Sequence, residues 1–62
     1  MRRTYIRGCA KVIVSKRAAR CYEVARFIGA RSLLALHVDT VASLSHALTI
    51  RDGWLKDYGT RS

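Results

Sequence analysis

The hydrophobic positions of this chain first alternate with polar ones and then recur every three or four residues, which predicts a strand followed by helices. Residues 9–15, CAKVIVS, are short and rich in β-branched side chains, which favours a strand. Residues 4–7, TYIR, either extend this strand or precede it across Gly8. Alternation divides the strand into two faces, with Val12 and Val14 on one and Lys11, Ile13 and Ser15 on the other.

A first helix is predicted over residues 15–28, where apolar side chains recur at helical spacing. Ser15 suits the N-cap, because its hydroxyl can accept a hydrogen bond from a free amide of the first turn. Gly29 suits the position after the last turn, where a left-handed backbone is favoured. The apolar face of this helix would consist of Ala18, Cys21, Tyr22, Ala25 and Ile28.

A second helix is predicted to begin at Ser32 and to end near Ile50. Its apolar stripe would consist of Leu33, Leu34, His37, Val41, Leu44 and Leu48. His37 is expected to be buried and neutral within that stripe. A short helical turn carrying Trp54, Leu55 and Tyr58 is expected to cover the core, and residues 58–62 are expected to be frayed.

The length of 62 residues allows one domain, residues 1–62, whose core would be marginal without a partner. The expected fold class is mainly α with a short N-terminal strand, in strand-helix-helix order, completed by dimerisation. An all-α fold like the helix-turn-helix is the alternative, and residues 1–10 would form a basic arm. The homodimer is expected to bury Val12, Val14, Tyr22, Ile28, Leu34, Val41 and Leu44.

The positive charge lies in the N-terminal half of the chain. Residues 1–31 contain nine Lys/Arg and one acid, whereas residues 32–62 contain three of each. This asymmetry favours a nucleic-acid backbone as the partner. The candidate contacts are Arg2, Arg3, Arg7, Lys11, Lys16, Arg17, Arg20 and Arg31.

Two other interpretations of the charge stay open. The basic residues could be a solvated surface, or they could belong to an import signal, since residues 1–22 hold seven Lys/Arg and no acid. The expected location is cytoplasmic, with a mitochondrial or other organellar location as the alternative. The two cysteines, in a chain without a secretory signal pattern, favour a reducing compartment over a disulfide framework.

The residue patterns of enzymes and metal sites are not matched. Asp39, Ser43 and His46 have the types of a hydrolase triad, but on one helix Asp39 and His46 would lie about 10 Å apart. The cysteines and histidines have no close pair of the kind that zinc sites use. Residues 32–50 keep their apolar side chains in one stripe and contain Asp39, so no membrane-spanning helix is expected. We therefore expect no enzymatic activity, cofactor, metal or small-molecule substrate.

The order of strand, helix, glycine turn and serine-capped helix resembles the ribbon-helix-helix DNA-binding repressors, the Arc and copy-number repressor family. The resemblance lies in VIVS (12–15), VARFIG (24–29) and ARS (30–32), and it covers residues 11–50. It implies that two chains pair their strands into a ribbon in the DNA major groove, where Lys11, Ile13 and Ser15 would face base edges. It also implies a phosphate contact at the start of the second helix, around Arg31 and Ser32. Ile13 departs from the polar residue that is usual in the family.

Two further resemblances remain. Residues 21–38 fit a helix-turn-helix loosely. The stretches CAKVI (9–13) and LLALHVD (33–39) are similar to parts of the smallest zinc-bundle subunit of archaeal and eukaryotic RNA polymerases, although only Cys9 matches one of its four cysteines. The sequence thus predicts a small basic nucleic-acid-binding protein. The ribbon-helix-helix resemblance makes it foremost a homodimeric DNA-binding transcriptional regulator, with DNA preferred over RNA. The alternative is a small basic subunit of a ribosome, polymerase or organellar complex.

Overall fold

The computed structural model describes residues 1–29 and 31–59 and shows a four-stranded antiparallel sheet followed by one helix. The elements are β1 (Arg2–Arg7), β2 (Ala10–Ala18), β3 (Cys21–Ile28), β4 (His37–Val41) and α1 (Leu44–Gly59). The strands lie in the order β1-β2-β3-β4, so each pairs with its neighbours in sequence. The predicted fold class, mainly α in strand-helix-helix order, is therefore wrong.

Helix α1 packs on one face of the sheet, which we call the helix face, and leaves the other face, the open face, without a helix. The core between α1 and the sheet consists of Ala10, Val12, Val14, Val24, Val41, Ala47 and Trp54. Val12, Val14 and Val41, which were expected to become buried by dimerisation, are thus already buried in the single chain. The core is small, as the length of the chain predicts.

The predicted strand over residues 9–15 is confirmed over residues 10–15, which lie within β2, whereas Cys9 lies in the preceding turn. Its two faces are also as predicted: Val12 and Val14 point into the core, whereas Ile13 lies on the open face. Residues 4–7 belong to a separate strand, β1, which pairs with β2 across the turn at Gly8. The segment expected to be a basic arm therefore contains an edge strand of the sheet.

The predicted first helix, residues 15–28, is the end of β2, a hairpin turn and β3. The prediction failed because β3 buries side chains on both of its faces. Val24 points into the core, whereas Phe27 is buried on the open face beneath the ammonium of Lys11, 4.4 Å from the ring centroid. Apolar residues on both faces of a strand break the alternation and produce spacings that resemble a helix.

The predicted second helix, residues 32–50, is a loop, strand β4 and only the beginning of α1. The helix begins at Leu44, and its cap is Ser43, whose Oγ accepts a hydrogen bond from the amide of His46 at 3.1 Å. The expectation for His37 is also wrong. This residue is exposed at the start of β4, and its Nε2 lies 3.0 Å from Asp39 Oδ1.

The helix continues through Gly53 to Gly59 and brings Trp54, Leu55 and Tyr58 to the core, as predicted for these three residues. The tail was expected to be frayed from residue 58. Tyr58 and Gly59 belong to α1, and residues 60–62 lie outside the described residues. In the described part of the chain, no helix combines the length and the apolar character needed to cross a membrane.

Both cysteines are free thiols, and β2 separates them. Cys9 lies in the turn before β2, and Cys21 begins β3 beyond the opposite end of that strand. At about 3.4 Å per residue the strand spans roughly 30 Å, several times the Cα distance that a disulfide allows. A disulfide within one chain is therefore excluded in this fold.

Candidate nucleic-acid interface

The hairpin between β2 and β3 extends beyond the rest of the sheet. Strand β1 begins opposite Ser15, and β4 ends opposite Tyr22. Residues 17–21, which we call the hairpin tip, therefore lie beyond both flanking strands. Residues 17–20 of this tip are exposed to solvent. The hairpin tip is a two-stranded ribbon that another molecule can approach from either face.

Five basic side chains lie at this end of the sheet, and we call them the basic end. They are Arg2, Arg3, Lys16, Arg17 and Arg20. Antiparallel pairing brings them together, because the start of β1 runs beside the end of β2. All five are exposed, so their charge is available to a partner.

The only acid that pairs with the basic end, within residues 1–29 and 31–59, is Glu23, whose Oε1 lies 2.8 Å from Arg17 Nε. This pair is largely exposed, so it contributes little to stability and leaves Arg17 accessible. The other acids lie elsewhere. Asp39 pairs with Arg26 at 3.0 Å, and Asp52 pairs with Arg51 at 2.6 Å. Asp39 and Asp52 thus neutralise arginines outside the basic end, and one acid faces the five basic residues within the described part of the chain.

Arg51 belongs to the helix and not to the interface. Its guanidinium lies 4.6 Å from the ring centroid of Tyr5, and the hydrogen bond to Asp52 raises the pKa of Arg51 above its ordinary value. Its side chain is largely buried against β1 and α1. The charge of Arg51 is thus compensated within the chain.

Arg20 has a left-handed backbone, with φ of 58°. This conformation costs a residue with a side chain roughly 1–2 kcal/mol relative to the right-handed region, and glycine avoids the cost. Strained residues of this kind cluster at functional sites. The strain and the exposed charge coincide at the outermost point of the basic end.

The predicted contacts do not form one surface. Arg7 lies at the opposite end of β1, where its side chain approaches Gly59. Arg31 and Ser32 lie in the loop between β3 and β4, also away from the basic end. The phosphate contact predicted there required a helix beginning at Ser32, and that helix is absent from the described structure because α1 begins at Leu44.

Lys11 is buried and bonded within the chain. Its Nζ donates a hydrogen bond to the carbonyl of Ser32 at 2.5 Å, and its side chain is 8% exposed. Ile13 and Ser15, the other two residues predicted to face base edges, line a cavity on the open face. The predicted ribbon face is thus split, with Lys11 joining the sheet to a loop and the other two facing solvent.

The sequence prediction missed a group of exposed leucines in the loop between β3 and β4. Leu33 is 92% exposed, Leu34 is 84% exposed and Leu36 is 62% exposed. In the sequence these leucines form an apolar run shortly after Gly29 and Arg31. The run also fits the spacing of a helix, so the sequence did not indicate that it is exposed. Exposed apolar side chains in a contiguous group usually mark a contact with another molecule.

The described residues contain no group of three or more His, Cys, Asp or Glu side chains placed to hold a metal ion. Asp39 pairs with Arg26 and His37, whereas Ser43 Oγ accepts a hydrogen bond from the backbone amide of His46 as the cap of α1. No protein-family model, curated protein or solved structure matches this chain. Its function is therefore inferred from the geometry of its own residues.

Proposed function

We propose that this chain is a small DNA-binding protein without enzymatic activity, which acts as a homodimer in transcriptional regulation. The observation that carries the proposal is the basic hairpin tip, which projects beyond the sheet with Arg17 and Arg20 exposed. The DNA major groove is about 12 Å wide and admits a two-stranded β-ribbon. The major groove of an RNA helix is too narrow for side-chain readout, which favours DNA as the partner.

The five residues of the basic end divide into two roles. Arg17 and Arg20 lie at the hairpin tip and would enter the groove, where each guanidinium would neutralise a phosphate at the groove edge and could also reach guanine. Arg2, Arg3 and Lys16 lie behind the tip and would contact phosphates on either side. Phosphate contacts orient a protein on the duplex without reading its sequence.

Salt dependence tests the location of the interface. Each phosphate neutralised on duplex DNA contributes about −0.9 to the slope of log affinity against log salt concentration. A dimer carries the five basic residues twice, and not all of them can contact phosphate at once. We therefore expect a slope on the order of −4 to −8. Arg17→Ala with Arg20→Ala should flatten this slope by about 1.8 per bound chain. Fluorescence anisotropy on duplex DNA at several salt concentrations measures both slopes.

The matched control removes two positive charges elsewhere, with Arg31→Ala and Lys56→Ala. The loop and the second half of α1 carry these residues, away from the basic end. The control should keep the wild-type slope. Equal flattening by both double variants would show that net charge, and not the hairpin tip, drives binding. No binding to duplex DNA at low salt would reject the proposed function.

Arg20→Gly should change stability and DNA binding in opposite directions. Glycine removes the cost of the left-handed backbone, so we expect a gain of about 0.5–1 kcal/mol, or a few degrees in Tm for a chain of this size. Loss of the guanidinium should weaken DNA binding. Arg20→Lys serves as the control, because it keeps the charge and the strain and should retain most of the affinity. Unchanged DNA affinity in Arg20→Gly would remove Arg20 from the interface.

The exposed leucines favour a second candidate function, a small basic subunit of a larger nucleic-acid assembly. Leu33 and Leu34 would then contact a different protein, and the basic end would contact nucleic acid. The isolated chain separates the two candidates. A subunit of a larger assembly should lack a cooperative thermal transition in circular dichroism when purified alone, whereas the proposed regulator should melt cooperatively.

A further inference from the structure

The loop between β3 and β4 presents its leucines on a fixed backbone. We call residues 31–36 the leucine loop. The Ser32 amide donates to the Gly29 carbonyl at 3.0 Å, and Ser32 Oγ donates to the Leu34 carbonyl at 3.1 Å. The Leu36 amide donates to the Arg26 carbonyl at 2.7 Å, and the hydrogen bond from Lys11 ties the loop to β2. Leu33 and Leu34 are therefore held outward by hydrogen bonds at both ends of the loop.

The open face carries a cavity of about 320 Å³. Its apolar lining consists of Ile13, Ala25, Phe27 and Val38. The side chain of Arg2 and the Arg17–Glu23 ion pair form a polar part of the lining, towards the basic end. Val38 is 49% exposed, so this apolar surface faces solvent in the single chain. The depression lies on the open face, and Lys11, whose ammonium lies over Phe27 on that face, ties the loop that carries the leucines to the same side of the sheet.

The leucine loop lies at one end of the open face, whereas the cavity extends from Phe27, near that end, to Arg17 at the basic end. The leucine loop follows β3 at the end where Lys11 and Phe27 lie. The cavity extends along β2 and β3 towards Ser15 and Glu23, at the basic end. A two-fold axis parallel to the sheet and running across its strands would turn the open faces towards each other and place each loop over the partner's cavity.

We propose that Leu33 and Leu34 of one chain insert into the open-face cavity of a second copy, and that the second copy does the same in return. Such an interface is isologous, since the same two surfaces meet twice. The two sheets would pack face to face, about 10 Å apart. Each chain would thereby cover the leucines and the half-exposed Val38 of its partner.

A second copy fits this surface in size and in charge. The two largest dimensions of the chain are 36 and 21 Å, so its broad side is close to the roughly 800 Å² per partner of a standard interface. The antiparallel arrangement also places the two basic ends at opposite ends of the dimer. This separation reduces the repulsion between two chains that each carry a net charge of +8.

The inference deepens the homodimer of the proposed function but can be tested without DNA. We expect the full chain to sediment as a dimer at equilibrium. The double variant Leu33→Asp with Leu34→Asp should weaken dimerisation at least about a hundredfold, because burial of each leucine contributes more than a factor of ten to the dimerisation constant. Both side chains are almost fully exposed in the single chain, so its circular dichroism should not change. Leu44→Asp is the control, because Leu44 lies on α1 and its substitution should leave the dimer intact.

A complementation experiment tests the reciprocal insertion. Leu34→Asp damages the projection, and Val38→Lys damages the cavity, so each variant alone should be monomeric. Their mixture should form heterodimers, because one contact is then wild type and the other joins an aspartate to a lysine. Loss of dimers in both variants without recovery in the mixture would overturn the reciprocal interface.

Other outcomes separate this inference from the proposed function. A wild-type chain that stays monomeric at its highest soluble concentration would overturn the interface and assign the leucines to a different protein or to a lipid surface. DNA binding by such a monomer would leave the hairpin-tip proposal standing. If the wild-type chain is a dimer that binds no DNA, and the double-aspartate variant is a monomer, the interface is supported and only the proposed function is rejected.

Discussion

Trp54→Ala is expected to unfold the protein. Trp54 is 8% exposed and is the largest residue of the core between α1 and the sheet. Its indole N–H donates a hydrogen bond to the Phe27 carbonyl at 3.1 Å. The distance between the ring centroids of Trp54 and Tyr58 is 4.1 Å. Replacing a buried tryptophan by alanine costs about 3–5 kcal/mol, which is about the whole stability that a core of this size supplies.

The measurement is a urea titration followed by circular dichroism. Trp54→Phe should cost less than Trp54→Ala, because it keeps an aromatic ring in the core and loses mainly the hydrogen bond to Phe27. His46→Ala changes an exposed side chain of the same helix and should stay within about 0.5 kcal/mol of the wild type. A folded Trp54→Ala variant with an unchanged urea midpoint would contradict this packing of α1.

Gly8→Ala should also destabilise the protein strongly, although less than Trp54→Ala. Gly8 opens the two-residue turn between β1 and β2 with φ of 58°, a conformation that glycine adopts without the penalty of a side chain. A methyl group at this position would also overlap the carbonyl oxygen of Gly59 at the end of α1. Backbone strain and overpacking together should cost about 2–4 kcal/mol.

Gly53→Ala is the matched control, because it makes the same chemical change inside α1. A methyl group at Gly53 would meet no atom within 4 Å, and its backbone is helical. Alanine should therefore stabilise the protein by about 0.8–1.0 kcal/mol. Thermal melts of both variants should move in opposite directions from the wild type. A Gly8→Ala variant as stable as the wild type would show that β1 and the end of α1 do not approach as described.

The sequence allowed β2 to be predicted because this strand has one face in the core. Val12 and Val14 are fully buried there, whereas Ile13 is only partly covered. The core role of Trp54 could also be predicted from its local pattern. The separate strand before Gly8 could not, since residues 1–10 also suit a basic arm. Strand β3 could not, because its covering on the open face comes from Lys11, sixteen residues before Phe27.

The error after Gly29 arose from tertiary context. Three leucines followed by a mixed stretch fit helical spacing, but the structure leaves all three exposed and starts a strand at His37. Ser32 and Ser43 are both plausible caps in the sequence, and only Ser43 is followed by a helix that can reach the core with Ala47 and Trp54. The packing of α1 on the sheet, and not the cap, decided where the helix began.

The basic residues were predicted from charge alone, and their arrangement was not predictable at that level. Pairing of β1 with β2 brings Arg2 and Arg3 beside the hairpin tip, and the same pairing carries Arg7 to the opposite end. A count of charges cannot separate these arginines, because the register of the sheet assigns them to different ends.

The sequential strand order has a consequence for how the chain folds. Each pairing in the sheet β1-β2-β3-β4 joins neighbours in sequence, so its hairpins can close over short loops with little entropy loss. Helix α1 follows all four strands, and it supplies Trp54 to a core that the strands alone cannot close. The N-terminus is synthesised first, so the strands precede α1, and the valines of the helix face stay uncovered until α1 has formed.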